Sequence, residues 1–377
     1  MRVVHIETGR HLYGGGRQVR YLIAGLAARG VENALVCLRG GALAADPPPA
    51  EIVPLALGGD LDFRAIGRLR RALQSLKPDL VHVHSRRGAE LFGGIASAME
   101  SLPAVLTRRV DSPEPKLWAR FKYARFGAVI ALSAAIERQL VAAGIAPDKI
   151  HRIPSAVDVE RYRPDALARE RLHREYALPE DALVIGVVAQ LIERKRHAWL
   201  IEALPELIRR CPTVRVLFFG RGPLAASLEA RVAALGLQTH VRFAGFRDDL
   251  RGLLPGFDVL AHPAEREGLG VALLEAASCG VPVVACAVGG VVDVLRDGAT
   301  GYLVPADDPA AFRDALERLL RDPDERRRLG GTARADVAAR FGIEALVAAH
   351  ERLYSAVLAR PQRAPGRVLP AGRGGRQ

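Results

Sequence analysis

FDVLAHPAEREGLGVALLEAASCGVP, residues 257–282, reads as a strand, a glycine-bearing loop and a helix in succession. After the β-rich FDVLAHP comes Glu267-Gly268-Leu269-Gly270. From Val271 the run VALLEAAS has helical periodicity and strong helix formers, with Gly280 as a stop signal just past its end. Glycines therefore sit where a helix begins. The free N–H groups and positive dipole end of a helix N-terminus, approachable where side chains are absent, favour an anionic guest. Glu275 follows Glu267 by a little over two helical turns and projects on the side of the loop, so the two acids can grip two parts of one polar ligand. The plainer alternative makes Glu275 a solvated helix residue and Glu267 a first-turn acid complementing the dipole.

Outward from that stretch the same succession recurs. RVVHIE (2–7) is followed by the glycine loop YGGG (13–16) and a helix pattern over 17–28. Gly14, Gly15 and Gly16 lack the G-x-G-x-x-G spacing of a dinucleotide fingerprint, so the loop reads as phosphate-friendly or as a plain tight turn. Strand patterns follow at 33–38, 51–57, 79–85, 103–109, 127–133 and 148–157, and the exposed connector DVERYRPDA leads to a restart at LVIGVVAQL (183–191). VRVLFFG, VRFAG, FDVLAHP and PVVAC continue it, with helices over 198–210, 309–320 and 343–358. Such alternation means α/β architecture, two Rossmann-like domains with parallel sheets facing each other across a cleft that holds the ligand. The boundaries are 1–160 and 161–342, then a helix over 343–359 returning to the first domain and an aperiodic basic tail, 360–377. Residues at the C-terminal ends of parallel strands face the ligand crevice, which singles out His84, with His82 beside it, and Arg108 and Arg109.

Of 377 residues, 49% are hydrophobic and 25% charged, a globular composition. No apolar run reaches the ~18 residues of a membrane span, and MRVVHIETGR runs straight into a strand, so a cytoplasmic location is the expectation. Cys37, Cys211, Cys279 and Cys286 form no C-x-x-C pair and read as buried reduced thiols. The net charge of +12 is concentrated in the first domain and the tail, suiting the anionic leaflet of a membrane. Nucleic acid is not expected, because aromatic residues are 5% of the chain and no basic stretch interleaves with them.

Four stretches in order resemble the C-terminal domain of retaining glycosyltransferases of family 4: LVIGVVAQLIERKRHAWLIEAL, VLFFGRGP, FDVLAHPAEREGLGVALLEAASCGVPVV and GGVVDVLRDGATGYLVPADDPAAFRDAL. The resemblance implies the GT-B fold and transfer of a sugar from a nucleoside-diphosphate donor, a UDP-sugar favoured, to a glycan or lipid-linked acceptor, with retention and without a cofactor or metal. It implies that Glu275 binds the ribose and Glu267 lies beside the donor sugar, while Gly268, Leu269 and Gly270 seat sugar and phosphate. Lys195 matches the phosphate-binding lysine, with Gly15 and Gly16 across the cleft. The implied setting is bacterial lipopolysaccharide or surface-glycan synthesis at the inner face of the membrane. A nucleotide-sugar 2-epimerase and a non-catalytic nucleotide-sugar-binding protein are the alternatives.

Two departures bear on the site. Gln190 stands where the family usually has an arginine, so one cation is missing unless Arg194 or Arg196 replaces it. The family's N-terminal-domain histidine has no match in TRRVDSPEP, where Arg109 either binds a phosphate or acidic sugar group or forms a salt bridge with Asp111 or Glu114. Asp60-Leu61-Asp62 and Asp322-Pro323-Asp324 look like metal-binding Asp-x-Asp motifs but precede helix patterns and read as caps.

Overall fold

A computed structural model describes residues 1–59, 61–84 and 88–360. The first domain is a parallel sheet of β1 (Arg2–Glu7), β2 (Glu32–Leu38), β3 (Glu51–Leu55), β4 (Leu80–Val83), β5 (Ala104–Arg108), β6 (Ala128–Ala131) and β7 (Ile150–Arg152), ordered β3-β2-β1-β4-β5-β6-β7. The second is formed by β8 (Leu183–Val188), β9 (Val214–Phe219), β10 (Val241–Gly245), β11 (Val259–His262), β12 (Val283–Cys286) and β13 (Tyr302–Val304), ordered β10-β9-β8-β11-β12-β13. The sequence therefore folds as two Rossmann-like units. Helices cover both faces of each sheet, which is why β4, β6, β11 and β12 are buried along their whole length. In each sheet the strand order reverses once, between β1 and β4 and between β8 and β11, and a crevice opens there beyond the carboxyl ends.

The helix after the first glycine loop spans Gly14–Ala28, so the glycines form its first turn instead of preceding it. The final helix, Ile343–Ala359, packs across this one, and Gly25 permits the approach: a Cβ there would lie 2.3 Å from Val347 Cγ2. Gln18 clamps the segment just before the connector through two 2.7 Å hydrogen bonds to the backbone of Ala156. No helix among the described residues is long and apolar enough to cross a membrane. All four cysteines are free and buried.

Asp322 caps the helix Pro323–Arg340, its carboxylate accepting from Glu325 N–H. Asp62 meets the other capping expectation in part, its carboxylate accepting from the backbone N–H of Arg64, the first residue of its helix. The helix Arg64–Leu76 has Phe63 at its N-cap, and the Asp62 carboxylate turns back to the Gly58 N–H, 2.8 Å away, and to Arg68. Asp60 lies outside the described residues, as does the expected tail beyond Arg360.

Candidate functional site

On the second domain, Glu267 lies just beyond β11, before the helix Val271–Ser278, whose N-cap is Gly270 at φ +94°. Its carboxylate accepts from Lys195 Nζ, from His262 Nε2 at 3.0 Å and from the Gly268 N–H at 3.1 Å. Burial alone would raise this carboxyl, but the Lys195 ammonium and the His262 hydrogen bond outweigh it and hold it far below the usual range. Lys195, itself buried, is pushed down by desolvation against the attraction of Glu267. This pairing replaces the alternative in which Glu267 merely complements a helix dipole.

Glu275 is 3% exposed, which removes the solvated-residue alternative. Its Oε1 lies 2.9 Å from Arg17 Nη1, which also donates to Tyr162 Oη at 2.8 Å. Desolvation raises the Glu275 carboxyl, opposed by Arg17 and by a hydrogen bond from Tyr162. Arg17 and Tyr162 were not singled out from sequence; an arginine directly after a glycine run was the available signal.

On the first domain, Arg109 follows β5 and donates through Nε to the His84 carbonyl at 3.3 Å. It makes no ion pair among the described residues: Glu114 goes to Arg108 and Lys122, and Asp111 to Gln139. The salt-bridge reading of Arg109 is thereby corrected. Burial lowers its guanidinium pKa, opposed by Glu7.

Behind it, His5, His82 and His84 form a buried cluster in which one ligand atom of each lies within 4.8 Å of the others, the geometry of a candidate metal centre. Hydrogen bonds already occupy most of those nitrogens. His82 is held by Tyr354 Oη at 2.6 Å and Thr107 Oγ1 at 2.7 Å. Asn33 Nδ2 donates to Val31 O, which turns its Oδ1 toward His5 Nε2 at 3.1 Å. His5 Nε2 must then carry the proton, and His5 Nδ1 accepts from His84 Nε2 at 2.9 Å. Only the lone pair of His84 Nδ1 is left over. All these imidazoles are driven toward the neutral form by burial.

The two walls enclose a cavity of about 540 Å³, lined by Gly15, Gly16, Arg109, Gln190, Lys195, Glu267, Leu269, Gly270 and Glu275, with His84 and Arg194. The sequence candidates thus converge, except Gly268. That residue is pressed on the first domain, where a Cβ would lie 2.3 Å from Arg109 O, and it lines a neighbouring cavity. Gln190 is beside Ala189, whose carbonyl approaches Gly220 so closely that a Cβ there would lie 1.9 Å away. The N-cap of the helix Gly14–Ala28 is Tyr13, without a side-chain cap, and its first turn holds no acid. Free N–H groups there and cations on both sides suit a polyanion.

The family model described as "Glycosyl transferases group 1" matches residues 168–336, and "Glycosyltransferase Family 4" matches residues 13–161. The GDP-mannose-dependent alpha-(1-6)-phosphatidylinositol monomannoside mannosyltransferase of Mycolicibacterium smegmatis is 34% identical over 298 residues, 74% of this chain and 68% of that protein. Sulfoquinovosyl transferase SQD2 of Arabidopsis thaliana is 31% identical over 308 residues, 77% of this chain but 58% of its own length. Among solved structures, Anabaena HepE in complex with UDP-glucose superposes with a TM-score of 0.83 at 22% identity, covering 94% of this chain and 100% of that one. WaaG, a glycosyltransferase involved in lipopolysaccharide biosynthesis, gives 0.72 at 18% identity, covering 95% and 100%. Both solved structures share the two-domain fold.

Proposed function

The chain belongs to glycosyltransferase family 4, and from that premise we propose that it transfers a sugar from a nucleoside-diphosphate sugar to a glycan or lipid-linked acceptor, with retention and without a catalytic metal. The observation that carries this reading is the buried Lys195–Glu267 pair, set across one cavity from the uncapped N-terminus at Gly14. In the reading, Glu275 takes the ribose hydroxyls, Glu267 stands beside the donor sugar, and Gly268, Leu269 and Gly270 seat sugar and phosphate. Lys195, with Gly15, Gly16 and Arg109 opposite, faces the diphosphate. As the bond from the sugar to the diphosphate breaks, charge collects on the leaving group, and a cation fixed in a cleft stabilises that charge more than the ground state. Arg194, which lines the cavity beside Gln190, supplies the second cation that Gln190 cannot.

A UDP-sugar is the favoured donor, in line with the UDP-glucose held by the Anabaena fold neighbour, and GDP-mannose is its rival from the mycobacterial relative. The setting is lipopolysaccharide or surface-glycan synthesis in the cytoplasm, at the inner face of a bacterial membrane, with the basic first domain toward anionic lipid. A thermal-shift screen of UDP, GDP and ADP, then of their sugars, followed by hydrolysis and transfer assays, tests it. Stabilisation by one nucleotide and turnover of its sugar are expected. Absence of binding and turnover for every donor sinks the proposal. Product formed without an acceptor moves the reading to a 2-epimerase, and tight binding without turnover to a non-catalytic binder.

A further inference from the structure

A second cavity, about 940 Å³, adjoins the first and shares Arg109, Arg194 and Glu267 with it. Its inner end carries more cations than carboxylates, Arg109, Arg194 and Arg266 against Asp111 and the Glu267 already held by Lys195. Arg194 and Arg266 lie there, and neither makes an ion pair among the described residues. Its outer wall is the reverse: Leu61, Phe63, Trp118 and Phe121 line it and are 43–82% exposed, with Leu91 and Ile95 deeper in. Large apolar side chains left in water around one groove mark a surface that something covers.

The chemistry of the wall distinguishes between occupants. A glycan needs hydrogen-bonding groups, yet beside the apolar wall the polar side chains of Glu90, Arg108, Glu114 and Lys122 are already spent on one another. Lys122 holds Glu90 at 2.7 Å and Glu114 at 2.6 Å, and Arg108 holds Glu114 at 2.8 Å. Trp118 and Phe121 stack on each other with centroids 5.9 Å apart, and the wall continues in aliphatic side chains. An aliphatic chain asks for nothing more. The helix bearing the aromatics, Lys116–Tyr123, also exposes Lys116 and Arg120, placing cations beside the apolar face. Aromatic, aliphatic and basic groups together on one exposed face are the pattern of an element that lies in a lipid interface.

We propose that this groove takes an anionic amphiphile, an alkyl or isoprenoid chain joined through a phosphate to the group that accepts the sugar. The chain lies along Leu61, Phe63, Trp118 and Phe121, and the phosphate reaches toward Arg266 and Arg194. The acceptor end then stands at Glu267, where the two cavities meet. The identity of the acceptor rests on the transferase reading above; the binding of the amphiphile does not.

Dodecyl phosphate below its critical micelle concentration, titrated into the full chain while tryptophan emission is followed, tests the groove. Trp199→Phe isolates the signal of Trp118. A saturable blue shift is expected, weakened at least ~10-fold in the double variant Leu61→Ser, Phe121→Ala, since each side chain withdraws apolar area from water. Thermal denaturation of the double variant, unchanged from wild type, shows that the fold is intact. Butyl phosphate and dodecyl maltoside should each bind more weakly than dodecyl phosphate, and Arg266→Gln should narrow the preference over the maltoside. No saturable binding of dodecyl phosphate overturns the proposal, as does maltoheptaose shifting Trp118 emission in its place. Equal binding of dodecyl maltoside overturns the anionic assignment. If no nucleotide sugar binds while dodecyl phosphate does, the transferase reading fails and the groove stands.

Discussion

The wall of the cleft built by the second domain keeps its opposite charges in contact, Lys195 on Glu267 with His262 behind, whereas the wall built by the first holds Arg109 without a carboxylate partner among the described residues. Behind Arg109 stand imidazoles kept neutral by burial. In one wall, a ligand anion must compete with a carboxylate for its cation. In the other, the cation is uncommitted, and burial already lowers its pKa, so an anion relieves a cost that folding has left in place. The first wall therefore supplies attraction. In the proposed transfer, the second supplies a fixed charge whose pairing changes as the leaving group departs.

That difference predicts an order of kinetic effects. Lys195→Ala should lower kcat by at least ~10-fold and up to ~10²–10³, the range for removal of one preorganised electrostatic group. Lys195→Arg should restore part of it. Arg109→Ala should act mainly on donor KM, with a smaller loss in kcat. Steady-state kinetics on the active donor measure both. A larger kcat loss for Arg109→Ala would reverse the roles of the walls, and an unchanged kcat for Lys195→Ala would end the leaving-group role.

Both walls also respond to pH. His5 and His350 are lowered to about 4, first by burial, from an ordinary 6.5. Because the folded pKa is depressed, the unfolded chain binds the proton first, so these histidines cost nothing above pH 6.5 and destabilise the fold as pH falls toward 4. The effect is roughly 1–2 kcal/mol per fully buried histidine between pH 7 and 5. Glu267, held below its ordinary 4.5 by Lys195 and His262 despite burial, contributes stability that begins to fade only below that pH. His197, also lowered to about 4, and His262, lowered by burial behind Glu267, add such groups to the second domain. Urea midpoints at pH 7 and 5 should therefore fall in the wild type. The fall should be shallower in His350→Leu, since that ring's Nδ1 bonds only the Leu346 carbonyl of its own helix. Glu267→Gln should steepen the fall, because it removes the hydrogen bond and the charge that hold up the buried His262 imidazole. A shallower fall for Glu267→Gln, or an unchanged one for His350→Leu, would contradict this assignment.

The contrast also explains what could be read from the chain beforehand. Glu267, Gly268, Gly270 and Glu275 fall within one strand–loop–helix unit, so their proximity is a matter of helical geometry and local pattern. Lys195 joins them because β8 and β11 are neighbours at the strand-order reversal. The first wall has no such local signature. His5 and His82 meet only through the parallel register of β1 and β4, and Arg109 reaches the cleft from a third strand. His5 and His82 are polar residues set in apolar runs, and Arg109 is marked only by its place just past a strand's carboxyl end. The partner of Glu275 is likewise invisible locally, because Arg17 comes from the opposite domain. Even the start of the Gly14–Ala28 helix defied propensity: three glycines are poor helix formers, and tertiary packing against Val271 and Arg109 overrides that preference.

The smallest effect is expected where the walls touch at the cleft's edge. Tyr13, the N-cap of the glycine-started helix, accepts a 3.1 Å hydrogen bond from Arg221 Nε, whose guanidinium lies 4.7 Å from the Phe246 ring centroid. The Tyr13 and Phe246 rings meet edge to face at 6.0 Å. Tyr13→Phe removes only the hydroxyl and keeps the ring contact. Because the bond is exposed, water replaces it, and the loss should sit at the low end of the ~0.5–1.5 kcal/mol typical of a single hydrogen bond. Donor KM should then rise by less than ~10-fold, since 1.4 kcal/mol corresponds to a factor of ten, and kcat should hold. If Tyr13→Phe lowers kcat as much as Arg109→Ala, closure at this edge governs the first wall, and the guanidinium acts only through it.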